Sequence, residues 1–226
     1  MMARNVMIST PEQRETEPKA RARHGGHHGH GGHGGHGGHQ RVLRWVLGHP
    51  LRRLVHPPGR LLAPFVAPGM TVLEPGPGVG YFTIELARRV GPSGRVVAVD
   101  VRPEMLDAVR RRAARAGVLA RLDARLAPRD RLGIEDLAGT VDLVFAFAMV
   151  HEVPDAERFF AEVAAALRPG GTLLLAEPTG HVGAERFAAE LRAAERAGLL
   201  AARAGRGGTR IPRVWLSRAA VLAKPR

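Results

Sequence analysis

From Met70 onward, short runs of continuous apolar residues alternate with stretches whose apolar positions recur every three to four residues. The first kind suits strands buried on both faces, and the second suits helices packed against them. The pattern predicts strands over Met70 to Leu73, Arg95 to Val99, Leu122 to Ala127, Val141 to Ala148 and Thr172 to Ala176. It predicts helices over Tyr81 to Val90, Pro103 to Ala116, Ala156 to Leu167 and Glu185 to Ala197, with stops at Gly117, Pro169-Gly170-Gly171 and Gly198. Leu199 to Ala204 and Val214 to Ala223 follow with no helix between them, so they are expected to pair antiparallel. The expected fold is α/β: a doubly wound, mostly parallel seven-stranded sheet of Rossmann-like type, ending in an antiparallel hairpin.

Upstream the pattern fades. Val42, Leu43, Trp45, Val46 and Leu47 suggest a short helix that Pro50 interrupts. Pro57, Pro58 and Gly59 open another, with Leu61, Leu62, Phe65 and Val66 as its apolar face and Pro68-Gly69 as its end. Residues 1 to 40 carry no periodicity, and Gly25 to His39 is little besides His and Gly. Such a segment has nothing to pack that would offset the entropy of ordering it. The expected organisation is therefore a disordered tail over 1–40 and a single domain over 41–226, with 41–66 as its helical lid or N-terminal segment. Imidazoles at His27, His30, His33, His36 and His39 can wrap a divalent ion such as Ni²⁺, Zn²⁺ or Cu²⁺, and a solvated low-complexity tail accounts for the same composition equally well.

Composition changes this picture in three ways. The net charge of +13 is nearly all arginine, Lys19 and Lys224 being the only lysines. Arginine is spread through every segment, as a G- and C-rich genome would give, except that Arg196 to Arg226 carries many arginines and no acid. The absence of cysteine excludes disulfides, thiolate metal sites and a cysteine nucleophile. No apolar run approaches the ~20 residues of a membrane helix, and Met1 to Thr10 has no signal-peptide core, so a soluble cytoplasmic protein without a membrane partner is expected.

The segment that carries chemistry is Thr71-Val-Leu-Glu-Pro-Gly-Pro-Gly-Val-Gly-Tyr-Phe-Thr83. A predicted strand runs into Glu74, a loop holds Gly76, Gly78 and Gly80, and a predicted helix follows. Glycine lets a ligand approach the main chain, and the free N–H groups at a helix start favour an anionic group. The next strand ends at Asp100, about 20 residues on, where a carboxylate can accept from ribose hydroxyls. The dinucleotide fingerprint would need glycine where Tyr81 stands, and no Gly-Lys-Ser/Thr of a P-loop is present.

E-x-G-x-G-x-G with an acid at the end of the next strand resembles motifs I and II of the class I S-adenosylmethionine methyltransferases. Residues 61 to 178 resemble the small-molecule enzymes grouped with the ubiquinone/menaquinone C-methyltransferases, including Val141-Asp-Leu-Val-Phe-Ala-Phe147 and a Leu-x-Pro-Gly-Gly turn at 167–171. The resemblance implies S-adenosyl-L-methionine as cofactor. It implies Glu74 near the methionine amino group, and Gly76, Gly78 and Gly80 shaping the methionine pocket up to Tyr81. It implies Asp100 on the ribose, with Val101 and Arg102 beside the adenine. The family's acid after the third strand is replaced by Leu126-Ala-Pro-Arg-Asp130, where Asp130 is the candidate. His49, His56, Arg52 and Arg53 fall on the segment that commonly closes over the cofactor.

A base is needed only where the methyl acceptor must lose a proton. His151, oriented by Glu152, is the candidate, since both follow the fourth predicted strand at the edge where ligands sit in such sheets. A pocket-wall or structural hydrogen-bonding role is the plain alternative. Glu177 and His181 are candidates for the acceptor pocket. Cytosine C5 and arsenite methylation need cysteines, and Ala148-Met-Val-His-Glu152 stands where adenine amino-methylating enzymes carry Asn/Asp-Pro-Pro-Tyr. A small-molecule acceptor is the expectation. The alternatives are an RNA methyltransferase using the basic C-terminal stretch, and a metal-handling or interaction protein working through the histidine tract.

Overall fold

The computed structural model describes residues 57–202 and 216–226. The histidine tract, the first part of the expected lid with His49, Arg52, Arg53 and His56, and residues 203–215 of the basic stretch after Arg196 lie outside them.

Among the described residues, five α-helices and seven strands follow in the order α1 (Pro58–Leu62), β1 (Thr71–Pro75), α2 (Thr83–Arg89), β2 (Arg95–Asp100), α3 (Pro103–Arg115), β3 (Leu122–Leu126), β4 (Val141–Phe147), α4 (Ala156–Ala166), β5 (Leu167–Pro178), α5 (Ala184–Arg196), β6 (Leu200–Ala201) and β7 (Ser217–Ala223). The sheet order is β3-β2-β1-β4-β5-β7-β6, with β7 antiparallel to both its neighbours. β1 to β5 pair in parallel. This is the expected doubly wound sheet with its terminal hairpin.

Each central strand is apolar on both sides, and its alternate residues go to opposite layers. Val72, Val96, Leu143, Phe145 and Leu174 pack with Leu62, Phe82 and Leu86. Leu73, Val97, Val144, Leu173 and Leu175 pack with Phe159, Phe160 and Val163. The edges are weak by design of the sequence: β3 is only half-buried, and β6 is two exposed residues long. Asp155 caps α4, accepting from the Arg158 N–H at 3.0 Å.

β5 begins earlier than the apolar pattern predicts. Leu167, fully buried, is already extended and pairs with Val141, after which Arg168 to Gly171 detour before regular pairing resumes at Thr172 with Leu143. A helix cannot run into Pro169, so the chain leaves α4 at Ala166 and Leu167 seals the core instead.

One buried group is costly. Glu190, on α5, is almost fully buried, and among the described residues neither carboxylate oxygen has a hydrogen-bond partner. Arg186 Nε stands 3.8 Å away. Burial, and then the charge of Glu177, raises the Glu190 carboxyl to about 7, against the opposing influence of Arg186 and His151. The folded state therefore holds a proton between about pH 4.5 and 7 that the unfolded chain has released, so stability falls as pH rises across that window. Denaturant melts at pH 5 and pH 7.5 should show this residue taking away about 2 kcal/mol over the interval. Glu190→Gln should flatten that part of the dependence, and an unchanged slope would refute the assignment.

Candidate active site

The carboxyl ends of the parallel strands form one edge of the sheet, and the glycine loop leaves it from β1. Gly76 N–H donates to Val99 O at 2.8 Å, which ties the loop to β2, and Ala127 N–H donates to Asp100 O at 3.0 Å, which ties the β3 exit to the same strand. Gly76, Gly78 and Gly80 have φ of 65°, 55° and 80°, a region L side chains rarely adopt. Two of them are also constrained by space. A Cβ on Gly76 would meet Met149 Cβ at 3.0 Å, and one on Gly80 would meet Val109 Cγ2 at 3.2 Å. Gly78 faces open space.

A cavity of about 430 Å³ opens at this edge, within the size range of small-molecule sites. Gly76, Asp100, Val101, Arg102 and Asp130 line it, as does Glu152 on the far wall. Asp100 is nearly buried. Its Oδ1 accepts from the Arg102 backbone N–H at 3.0 Å, while Oδ2 is buried with no protein partner among the described residues. That oxygen is a ready acceptor for a ligand hydroxyl. Val101 is exposed at the rim, free to cover a flat ring. Asp130 is exposed and pairs with Arg158 at 3.2 Å, so an amino group reaching it must share the carboxylate with that guanidinium. Glu74, buried at the end of β1, Gly78, Gly80 and Tyr81 do not line this cavity. Tyr81 packs edge-on against Phe82, with ring centroids 4.9 Å apart, and faces a separate depression between α2 and α3.

His151 lies on the other side of the same loop, in a short 3-10 turn over Val150–Glu152. Its Nδ1 is 2.5 Å from Glu177 Oε2. Glu152, expected to orient the ring, is exposed and 3.9 Å from Nε2. The contact with Glu177 follows from topology: β4 and β5 are parallel neighbours in register at Phe147 and Ala176, so the residues just beyond them meet. Glu177, fully buried, also accepts the backbone N–H groups of Val150 at 2.7 Å and Met149 at 3.2 Å. A carboxylate beside Nδ1 selects the tautomer with its proton there and leaves Nε2 as the free base. The hydrogen bond to Glu177 raises the His151 pKa above its ordinary value, outweighing the burial that lowers it. His181 stacks on the ring with centroids 5.7 Å apart, and Arg186 donates to the His151 carbonyl at 2.7 Å.

Ala148 occupies the left-handed region at φ 55°, its N–H donating to Ala176 O at 2.7 Å. No signal in the sequence marks this turn, since alanine rather than glycine or asparagine makes it. Met149 as the wall against Gly76 and Arg158 as the partner of Asp130 were likewise invisible, because both contacts join distant segments. Among the described residues no cluster of His, Asp and Glu has metal-binding form, and no helix is long and apolar enough to cross a membrane.

Residues 72–171 match a family model described as a methyltransferase domain. The chain is 33% identical over 112 residues to an arsenite methyltransferase of Halobacterium salinarum, covering 50% of this chain and 28% of that protein. It is 31% identical over 112 residues to a ubiquinone/menaquinone biosynthesis C-methyltransferase of Hydrogenovibrio crunogenus, covering 50% of this chain and 43% of that one. The chain thus spans less than half the length of these curated relatives. Among solved structures, an S-adenosylmethionine-dependent methyltransferase from Aquifex aeolicus superposes with a TM-score of 0.66 at 22% identity, over 82% of this chain and 97% of that one, which shows a shared fold. The strand order and the glycine loop followed by an acid at the end of β2 resemble those of class I S-adenosylmethionine-dependent methyltransferases, and residues 72–171 match the methyltransferase domain.

Proposed function

We propose that this protein transfers a methyl group from S-adenosylmethionine to a small-molecule acceptor, with His151 as the base where the acceptor must lose a proton. The observation that carries the cofactor half is the buried, unpartnered Oδ2 of Asp100 in a cavity that Pro75 and Gly76 of the glycine loop also line. Asp100 would accept from the ribose hydroxyls, Val101 and Arg102 would border the adenine, and Asp130 would reach its amino group. Pro75 and Gly76, the part of the glycine loop that lines the cavity, would seat the amino-acid end. Held there, the cofactor would supply an electrophilic methyl carbon on a sulfonium, the thioether being the leaving group. The protein's share is alignment and exclusion of water.

His151 Nε2 would take the acceptor's proton while Glu177 holds the ring and stabilises the imidazolium that results. Several features support a small acceptor. The residues after β4 lack the Asn/Asp-Pro-Pro-Tyr pattern of adenine amino-methylation. The sequence also lacks any thiolate to hold a soft centre such as arsenic, despite the likeness to an arsenite methyltransferase.

Calorimetric titration with S-adenosylmethionine tests the cofactor seat. Asp100→Asn should weaken binding roughly 10–100-fold, the worth of a charge-assisted hydrogen bond. Gly76→Ala should weaken it as well, because its Cβ would displace Met149. Binding unchanged in both variants would remove the seat from this cavity. Once a labelled-methyl screen has supplied an acceptor, the rate should rise with pH through the raised pKa of His151, because only the neutral ring is a base. His151→Ala should cost about 10²–10⁴-fold in kcat. Glu177→Gln should lower kcat and move the rise to lower pH. A flat profile with full turnover in His151→Ala would leave alignment as the protein's whole contribution.

A further inference from the structure

The second depression, between α2 and α3, plays no part in the proposed transfer, and its lining is unlike that of the cavity at the sheet edge. It measures about 840 Å³ and is lined by Arg88 from α2, Arg112 and Arg115 from α3, and Tyr81, with Ile84 and Pro58 among its apolar walls. Among the described residues Arg88 and Arg115 make no hydrogen bond or ion pair, and Arg112 reaches only the Val79 carbonyl, at 3.4 Å. The one acid in the lining, Glu85, is engaged by Arg89 at 2.8 Å. Basic residues in the last turns of α2 and α3 suit the helix dipoles. That effect does not explain why three guanidiniums and the chain's only tyrosine line one groove whose single acid is already engaged. Arg112 and Arg115 lie one turn apart, where like charges oppose each other. The rest of the chain supplies little relief, its net charge being +13.

We infer that this groove is a second binding site, for the phosphate and base of a nucleotide, either free or within a single strand of nucleic acid. Guanidinium forks match phosphate oxygens, and a tyrosine ring beside apolar walls offers a base a surface to stack on. The arginine-rich composition looks uniform along the sequence, and only the pairing of α2 with α3 concentrates it.

The test is equilibrium binding of a fluorescently labelled single-stranded RNA 12-mer to the full chain over a salt series, with unlabelled AMP as competitor and S-adenosylmethionine affinity measured on the same samples. The strand should bind with an affinity that falls steeply with salt. Arg88→Ala/Arg115→Ala should weaken it at least tenfold and reduce the slope of log K against log salt by about 1.4, the value for two phosphate contacts on a single strand. Tyr81→Ala should weaken the strand at least fivefold. A control with the same charge loss, Arg192→Ala/Arg226→Ala, should stay within twofold of the parent. Displacement by millimolar AMP identifies a free-nucleotide site, and failure to displace identifies a strand site; both support the groove. The inference is overturned if neither ligand binds, or if the control weakens binding as much as the groove variant. S-adenosylmethionine affinity should be unchanged in Arg88→Ala/Arg115→Ala, and its loss from the parent protein would instead strike the proposed transfer reaction.

Discussion

At the end of β5 the Glu177 carboxylate, without solvent exposure, uses both oxygens on the loop that follows β4. Burying a charge costs several kcal/mol unless hydrogen bonds replace the lost water, so the carboxylate and that loop require one another. One flank of the loop sets Met149 against Gly76 at the cofactor cavity. The opposite flank turns His151 toward His181 and α5. A single buried interaction therefore fixes the wall between the two halves of the proposed reaction, and their relative position is as rigid as the sheet.

The same loop holds its strain locally. Ala148 in the left-handed region costs about 1 kcal/mol relative to ordinary backbone. It persists because its own N–H is bonded to Ala176 while the next two N–H groups are held by Glu177. A glycine there would adopt the turn without strain but would loosen the chain before Met149. The alanine, clamped from both sides, leaves the loop one conformation.

The fold was legible because its signals are local. Continuous apolar residues along Val72-Leu73, Val96-Val97 and Leu143 to Phe147 declare strands covered on both faces, and they pack that way. The glycine loop and Asp100 were legible for the same reason, as spacing along one strand–loop–helix–strand unit is itself the geometry. What sequence could not give were contacts between units. Glu152 looked like the partner of His151 because it is next in the chain, yet consecutive residues in such a turn point apart, and the imidazole meets Glu177 across two parallel strands. Tyr81 followed the loop in sequence but turned to the α2–α3 side. Asp130 lines the sheet-edge cavity, with its charge already shared by Arg158.

Electrostatics separates the surroundings of His151 from the α2–α3 groove. Around His151 stand Glu152, Glu177 and Glu190, with Arg186 as the facing cation. An anionic acceptor approaching His151 would meet carboxylates on two sides, which favours neutral or cationic acceptors there. The α2–α3 groove has the opposite character, three arginines against one engaged acid. A phosphate-bearing ligand would then occupy the groove without competing for the transfer site.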